Sequence, residues 1–289
     1  MNTLKQLLDD SALTPYWMIV VWILLIWPLI MFRYRIQKMP KAGTGSGDGI
    51  GNGQTIGARE EQDDYFATVN MPFGLLAVLA DGISGLSGGR VASTAAVHTF
   101  VKEFRELERF PDPPEFFGDA AMNANGEIMN QLHGVQGGTT LVAALIRSSM
   151  LYWGAVGDSL LFVYRGGILI PVNHKHTLEN TLQEQYLSGE ITESEALGNP
   201  QRKTLVNYLG SENFRSMELA EEPFQLYKGD KIMLCSDGVY NTLTEMEMET
   251  ILSRPLSPYD AAQAMIDLIE EKRLVHQDNA TVIIVERRW

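Results

Sequence analysis

Two short apolar runs that each end in Asp-Gly constrain this chain more than any other feature. They are residues 75–82, LLAVLADG, and residues 231–238, KIMLCSDG. An apolar run of this length that stops at a turn is typical of a buried β-strand, which holds its last carboxylate rigidly at the rim of the core. Asp-Gly is also a favoured turn pair, so one such run alone favours a plain turn. The repeat favours a site that includes Asp81 and Asp237.

A third acid stands at the opposite end of a strand. Asp278 precedes the apolar residues 280–285, so it marks the start of a strand, whereas Asp81 and Asp237 mark strand ends. In antiparallel neighbours, the end of one strand and the start of the next lie at the same edge of the sheet. Carboxylates and the open Gly82 carbonyl are oxygen ligands of the kind that Mg²⁺ and Mn²⁺ prefer. We therefore expect these groups to surround one or two divalent cations.

The charge of the chain is divided unequally. The 289 residues include 23 basic and 36 acidic side chains, a formal net charge of −13. Five of the basic and two of the acidic residues lie in residues 1–41, so residues 42–289 carry −16. A domain this acidic argues against a nucleic-acid partner. The single cysteine, Cys235, lies in an apolar run and cannot form an internal disulfide, so it is interpreted as core packing.

The N-terminal segment predicts a membrane anchor. After a polar tail at residues 1–12, residues 13–32 are about 20 uncharged residues, the length with which one helix crosses a bilayer. A cleaved signal peptide is the alternative, but the run is long and no small-residue cleavage pattern follows it. Basic residues follow instead, which places the C-terminal domain in the cytosol. Residues 33–55, basic and then glycine-rich, are interpreted as a flexible linker, and residues 56–289 as one domain.

The remaining patterns alternate groups of strands with pairs of helices, as in an α+β domain of antiparallel sheets with helices outside. Strands are predicted at about residues 59–69 and, as a meander with tight turns, between residues 141 and 172. Helices are predicted at residues 91–107, 115–132, 244–253 and 258–272. Residues 173–213 are polar and helix-prone, and are interpreted as an excursion from the sheet, a mobile flap.

Taken together, the motifs resemble those of the metal-dependent serine/threonine phosphatases of the PPM or PP2C family, in their bacterial form. The resemblance runs from about residue 56 to residue 285 and rests on the order and spacing of Arg59-x-x-x-x-Asp64, Ala80-Asp81-Gly82-x-x-Gly85, Gly138-Thr139-Thr140, Gly154-x-Val156-Gly157-Asp158-Ser159, Leu234-Cys235-Ser236-Asp237-Gly238 and Asp278-Asn279-x-Thr281-Val282. It implies a four-layer αββα sandwich of two antiparallel sheets flanked by helices, preceded in this chain by one transmembrane helix.

The resemblance also implies a two-metal centre at one end of the sandwich. Asp81 would bridge both ions, and the Gly82 carbonyl would bind one of them. Asp237 and Asp278 would complete the ligands of the other ion. Mg²⁺ and Mn²⁺ both suit such an oxygen-rich site.

Further roles follow from the same resemblance. Arg59 would hold the substrate phosphate. Asp64 would be a ligand largely through water, with Asp63 as an alternative because the residues before Asp64 depart from the family's pattern. Asp158 would help to bind a third, weaker ion near the flap.

Two departures from the family pattern concern the flap and the leaving group. The flap begins with Asn173-His174-Lys175-His176, where the family often has Asp-His-Ser. Eukaryotic members carry a histidine just after Asp-Gly, whereas this chain has Ile83 and Ser84 there. The five histidines are therefore interpreted as surface or packing residues, and none is assigned as general acid.

The activity implied is hydrolysis of phosphoserine and phosphothreonine on proteins, by water that two metal ions activate. The enzyme would be anchored on the cytosolic side of a membrane and would act on phosphorylated proteins, among them a serine/threonine kinase or its substrates. A catalytically inactive relative that binds phosphoproteins as a tethered adaptor is the alternative. A phosphatase dedicated to one partner and a small-molecule phosphatase are two further hypotheses.

Overall fold

The computed structural model describes residues 49–83 and 88–286. The predicted tail at residues 1–12, the predicted membrane helix at residues 13–32 and the first part of the predicted linker lie outside the described residues. Within the ranges described, no helix combines the length and the hydropathy needed to cross a bilayer.

The described strands form two antiparallel sheets. Their bounds are β1 (Gly49–Thr55), β2 (Asp64–Met71), β3 (Gly74–Asp81), β4 (Leu141–Arg147), β5 (Met150–Val156), β6 (Leu160–Arg165), β7 (Ile168–Pro171), β8 (Glu218–Leu219), β9 (Phe224–Gln225), β10 (Lys231–Cys235) and β11 (Ala280–Glu286). The first sheet has the order β1-β11-β10-β6-β7. The second has the order β2-β3-β4-β5-β8, and β9 also pairs with β5.

The helices fall between the strands in three groups. Their bounds are α1 (Gly89–Glu106), α2 (Pro113–Leu132), α3 (Leu178–Leu187), α4 (Glu193–Gly198), α5 (Asp237–Tyr240), α6 (Glu245–Ser253) and α7 (Pro258–Glu271). Helices α1 and α2 connect β3 to β4, and α5 to α7 connect β10 to β11. Helices α3 and α4 belong to the predicted flap, and α3 has no buried residue.

Three apolar clusters separate the layers. One lies between the two sheets and includes Leu79 and Leu161. A second lies between the second sheet and helices α1 and α2, around Phe100. The third lies between the first sheet and helices α6 and α7, around Met265. The predicted arrangement of two antiparallel sheets flanked by helices is confirmed.

The sequence of strand β3 is a continuous apolar run because both faces of the strand are buried. Alternate residues point to opposite faces of a strand. Leu75, Ala77 and Leu79 accordingly lie in the cluster between the sheets, whereas Leu76 and Val78 face helices α1 and α2. The same alternation directs the next residue of the first set, an aspartate, toward the end of the space between the sheets.

The prediction that the linker extends to residue 55 is wrong for its last seven residues. Gly49–Thr55 form β1, an edge strand of the first sheet. Its backbone pairs with β11 from Gly49 opposite Glu286 to Thr55 opposite Ala280. The domain therefore begins before residue 56.

The glycines of β1 are there because helix α7 packs closely against this strand. A Cβ on Gly51 would lie 2.1 Å from the backbone carbon of Pro258, and one on Gly53 would lie 2.9 Å from the carbonyl oxygen of Ala262. Residues two apart share a face of a strand, so the alternate glycines form a smooth face for the helix. A glycine-rich sequence predicts a flexible backbone, but in β1 the glycines allow close packing against α7.

We expect Gly51→Ala to destabilise the fold by about 2 kcal/mol or more, because the new methyl group overlaps the backbone of α7. Gly118→Ala is the matched control: it lies within α2 with nothing within 4 Å of its Cβ position. That change should stabilise by about 0.5–1 kcal/mol, since alanine favours a helix. Urea unfolding followed by circular dichroism measures both. A neutral Gly51→Ala would contradict the packed strand and support a linker.

Candidate metal centre at one end of the sandwich

Five aspartates from separate segments converge at one end of the two sheets. Asp64 begins β2, Asp81 ends β3, Asp158 lies in the turn between β5 and β6, Asp237 begins α5, and Asp278 precedes β11. The last four of these aspartates line a cavity of about 510 Å³. Asp64 does not line the cavity and is almost fully buried. The structure thus brings together the acidic residues that the sequence singled out.

The backbone around Asp81 is fixed by the neighbouring segment of chain. The Asp81 carbonyl accepts hydrogen bonds from the Thr140 amide and the Thr139 hydroxyl, each at 2.8 Å. The Asp81 amide donates to the Thr140 hydroxyl at 3.2 Å. After it, a Cβ on Gly82 would lie 2.6 Å from the carbonyl carbon of Gly89, so only glycine fits there. The carboxylate therefore leaves a rigid backbone in a defined direction.

The pairing of β2 with β3 selects one of the two adjacent acids. Asp64 lies directly opposite Asp81, so both side chains project from the same face. The Ser236 hydroxyl donates to Asp64 Oδ2 at 2.8 Å. Asp63, by contrast, is only partly buried, and its amide donates to Asn279 Oδ1 at 2.7 Å. Asp64 is the residue that joins the cluster.

Burial and mutual repulsion raise the pKa values of the clustered carboxyls. Burial, followed by the charges of Asp64 and Asp237, raises the pKa of Asp81 well above its usual range. Burial raises the pKa of Asp64 to about 6, against the hydrogen bonds that it accepts. Burial, followed by the charges of Asp158 and Asp278, raises the pKa of Asp237 to about 7. The cluster holds more negative charge than its surroundings compensate.

These features fit hard divalent cations. The donors are carboxylate oxygens, and Asp64 Oδ1 is buried without a hydrogen-bond partner in the described part of the chain. A cation would satisfy such an oxygen and relieve the repulsion that raises the pKa values. Within residues 49–83 and 88–286, no three acidic, histidine or cysteine side chains already meet at one point as metal ligands. Binding therefore requires the carboxylates to close in or to reach the ion through water.

Arg59 lies beside the carboxylate cluster. Its Nη2 donates to Asp278 Oδ2 at 2.7 Å, and its side chain is 42% exposed. A guanidinium has five N–H donors, so one bond to Asp278 leaves others for a phosphate. The flap contributes Lys203 and Tyr208 to the wall of the same cavity. The cavity thus has an acidic floor with basic groups at its side.

The sequence interpretation missed hydroxyl groups that support the cluster. Besides bonding Asp64, the Ser236 hydroxyl accepts from the Thr281 amide at 3.0 Å, which ties β11 to the site. The hydroxyls of Thr140 and Ser159 bond to each other at 2.7 Å and are buried. All of these residues stand within the quoted motifs, but their partners are far away in the sequence. Only the fold reveals the contacts.

Two histidines at the start of the flap have structural partners. His174 Nδ1 and His176 Nε2 lie 2.6 Å and 3.3 Å from the two carboxylate oxygens of Glu218. The Gly157 amide donates to His176 Nδ1 at 3.2 Å. These contacts connect the flap to the turn that carries Asp158. They agree with the interpretation of the histidines as surface or packing residues, since the His174 side chain is 84% exposed and that of His176 is 17% exposed.

Comparisons with known proteins identify the family. The family model described as Protein phosphatase 2C matches residues 54–271. The serine/threonine phosphatase stp of Listeria monocytogenes serotype 4b (strain F2365) is 30% identical over 221 residues, in an alignment that covers 73% of this chain and 84% of that protein. The chain belongs to the protein phosphatase 2C family. The predicted resemblance and the predicted enzyme class, a serine/threonine protein phosphatase, are confirmed.

Solved structures agree with this assignment. The S. agalactiae serine/threonine phosphatase superimposes with a TM-score of 0.74 at 25% identity, covering 83% of this chain and 100% of that one. The catalytic domain of the serine threonine protein phosphatase PstP, solved in complex with 2 manganese ions, superimposes with a TM-score of 0.68 at 23% identity. It covers 83% of this chain and 98% of that chain. The fold is therefore that of the family.

In EDTA at pH 8, we expect Asp237→Asn to be more stable than the wild type, by about 1 kcal/mol or more. The substitution removes one buried charge that neighbouring carboxylates repel. Added Mn²⁺ should raise the unfolding temperature of the wild type and have less effect on the variant. Thermal unfolding in the two buffers tests both expectations. If the variant is the less stable protein in EDTA, the cluster is not under electrostatic strain.

Proposed function

We propose that this chain hydrolyses phosphoserine and phosphothreonine on proteins, with two Mg²⁺ or Mn²⁺ ions held by the carboxylate cluster. The observation that carries the proposal is the convergence of Asp81, Asp237 and Asp278 on one cavity beside Arg59. Family membership supports the reaction, and the relative with two bound manganese ions supports their number.

The residues of the site have separate tasks in this reaction. The chemistry that two divalent cations supply when bound is an activated water and positive charge beside the phosphoryl oxygens. Asp81, with the Gly82 carbonyl, would hold the ions from the fixed end of β3, and Asp237 and Asp278 would hold them from the first sheet. Arg59 orients the substrate phosphate through its remaining donors.

A cysteine nucleophile has no place in this mechanism. Cys235, the single cysteine of the chain, is completely buried in β10. Burial raises the pKa of its thiol to about 12, so no reactive thiolate forms near neutral pH. Direct attack by water on phosphorus is therefore the reaction that the site supports, and the serine or threonine oxygen is the leaving group.

The full chain, purified in a mild detergent, should hydrolyse a phosphothreonine peptide in Mn²⁺ and lose this activity in EDTA. We expect Asp81→Asn to lower kcat by about a thousandfold or more, because the carboxylate nearest to the fixed strand end is lost. Release of inorganic phosphate measures the activity. Full activity in EDTA would contradict the metal-dependent mechanism.

Arg59→Lys separates phosphate binding from metal binding. It keeps the positive charge but loses the forked donor, so KM should rise about tenfold or more with a smaller change in kcat. Mn²⁺ binding, measured by calorimetry, should stay close to that of the wild type. Wild-type protein that neither binds Mn²⁺ nor releases phosphate would overturn the proposal and favour the phosphoprotein-binding adaptor.

We also propose that residues 13–32 anchor the enzyme in a membrane, with the catalytic domain in the cytosol. The support is the uncharged apolar run of about 20 residues and the basic residues Arg33, Arg35 and Lys38 that follow it. The substrates would then be phosphoproteins of the cytosol and its membrane face, among them a serine/threonine kinase or the proteins that it phosphorylates.

Cell fractionation tests the anchor. The full chain should remain in the membrane pellet after carbonate extraction, because a spanning helix resists extraction whereas a charge contact does not. A variant without residues 1–41 should move to the soluble fraction. Recovery of the full chain in the soluble fraction would contradict the anchor and leave the phosphatase activity untouched.

A further inference from the structure

The start of the flap lies against the turn that carries Asp158. The His176 amide donates to the Gly157 carbonyl at 2.8 Å, and the Gly157 amide donates back to His176 Nδ1 at 3.2 Å. Asn173, which is buried, accepts from the Leu161 amide at 2.8 Å and donates to the Ser159 carbonyl at 3.0 Å. Bonds on both sides of Lys175 therefore fix its position beside Asp158.

The Lys175 side chain packs against an aromatic ring. Its Nζ lies 3.6 Å from the centroid of the Tyr240 ring, a close cation–π contact. The Tyr240 hydroxyl in turn donates to the Asp158 carbonyl at 3.0 Å. Tyr240 belongs to α5, the short helix that begins with Asp237. Tyr240 therefore connects the ammonium to both segments that carry these aspartates.

The Lys175 ammonium influences the acids electrostatically, although it forms no ion pair with them within the described residues. Burial lowers the pKa of Lys175, while the negative charges of Asp158 and Asp237 act to raise it. Of the groups that counteract the effect of burial on the pKa of Asp158, Lys175 is the strongest. The nearby Glu218 is occupied by the two histidines on either side of Lys175. Lys175 lines a different cavity from the one that Asp158 and Asp237 line, so its charge acts on these acids from beside the proposed metal centre.

We propose that the Lys175 ammonium weakens the binding of a third divalent cation at Asp158, so that the centre of this chain holds two ions. The inference rests on the proposed two-metal function. A third ion is disfavoured, because it would share the neighbourhood of Asp158 with a fixed positive charge, and like charges repel in a partly buried site. Lys175 offsets part of the charge of Asp158 without any ion.

The number of Mn²⁺ ions bound by the full chain tests this inference. Equilibrium dialysis in a mild detergent, with Mn²⁺ up to low millimolar concentrations, should give two ions per wild-type chain. Lys175→Met keeps the apolar stem beside Tyr240 but removes the charge. It should bind a third ion at least about tenfold more tightly than any residual binding in the wild type. Lys175→Gln gives the same test should the methionine variant fold poorly.

Three controls separate this effect from general changes in charge. Lys175→Arg keeps the positive charge and should bind two ions. Lys228→Met removes the same charge from an exposed turn and should also bind two, which excludes loose binding to an acidic surface. Adding Asp158→Asn to Lys175→Met should abolish the third ion, because the carboxylate that attracts it is gone.

The outcomes distinguish this inference from the proposed function. Three ions in the wild type, or two in both Lys175→Met and Lys175→Gln, would overturn the role of Lys175 and leave the two-metal phosphatase standing. A wild-type chain that binds no Mn²⁺ would overturn the phosphatase mechanism itself, and the inference with it.

Discussion

Repulsion among buried carboxylates is the constraint on which the functional end of this molecule depends. Water would normally solvate such groups, but here the strand ends hold them against the core, and their pKa values rise accordingly. The fold tolerates this arrangement because both sheets are anchored elsewhere by three apolar clusters. A rigid frame keeps the acids together, and their uncompensated charge is what bound cations would neutralise in the proposed function.

The hydroxyl and amide groups behind the acids determine how they are presented. Ser236 joins Asp64 to β11 across the two sheets. The neighbouring threonines fix the backbone of Asp81 through bonds to its carbonyl and its amide. A buried polar atom with such a hydrogen-bond partner costs the fold little free energy. The same atom without a partner would cost the fold its lost hydration. Geometry at the site is therefore a property of several segments together.

Positive charge reaches the cluster from two sides, by different routes. Arg59 approaches from the segment before β2 and pairs with Asp278 while 42% exposed, which leaves it free to exchange that partner for a phosphate in the proposed function. Lys175 approaches from the flap, half-buried and stacked on Tyr240, so its charge stays where it is. In the roles proposed for them, the same sign of charge serves phosphate binding in one place and partial compensation of the acids in another, because exposure differs.

The sequence by itself determined the strands around Asp81 and Asp237, the pairs of helices and the set of acids. Apolar runs and the turn residues that end them can be recognised from neighbouring residues in the sequence. It did not decide between Asp63 and Asp64, since that choice depends on which residue faces Asp81 across two strands. It also missed β1, because alternate glycines indicate flexibility until helix α7 is seen to pack on them. The roles of Ser236 and Lys175 likewise came only from the tertiary structure, because burial and the proximity of charges depend on segments far apart in the chain.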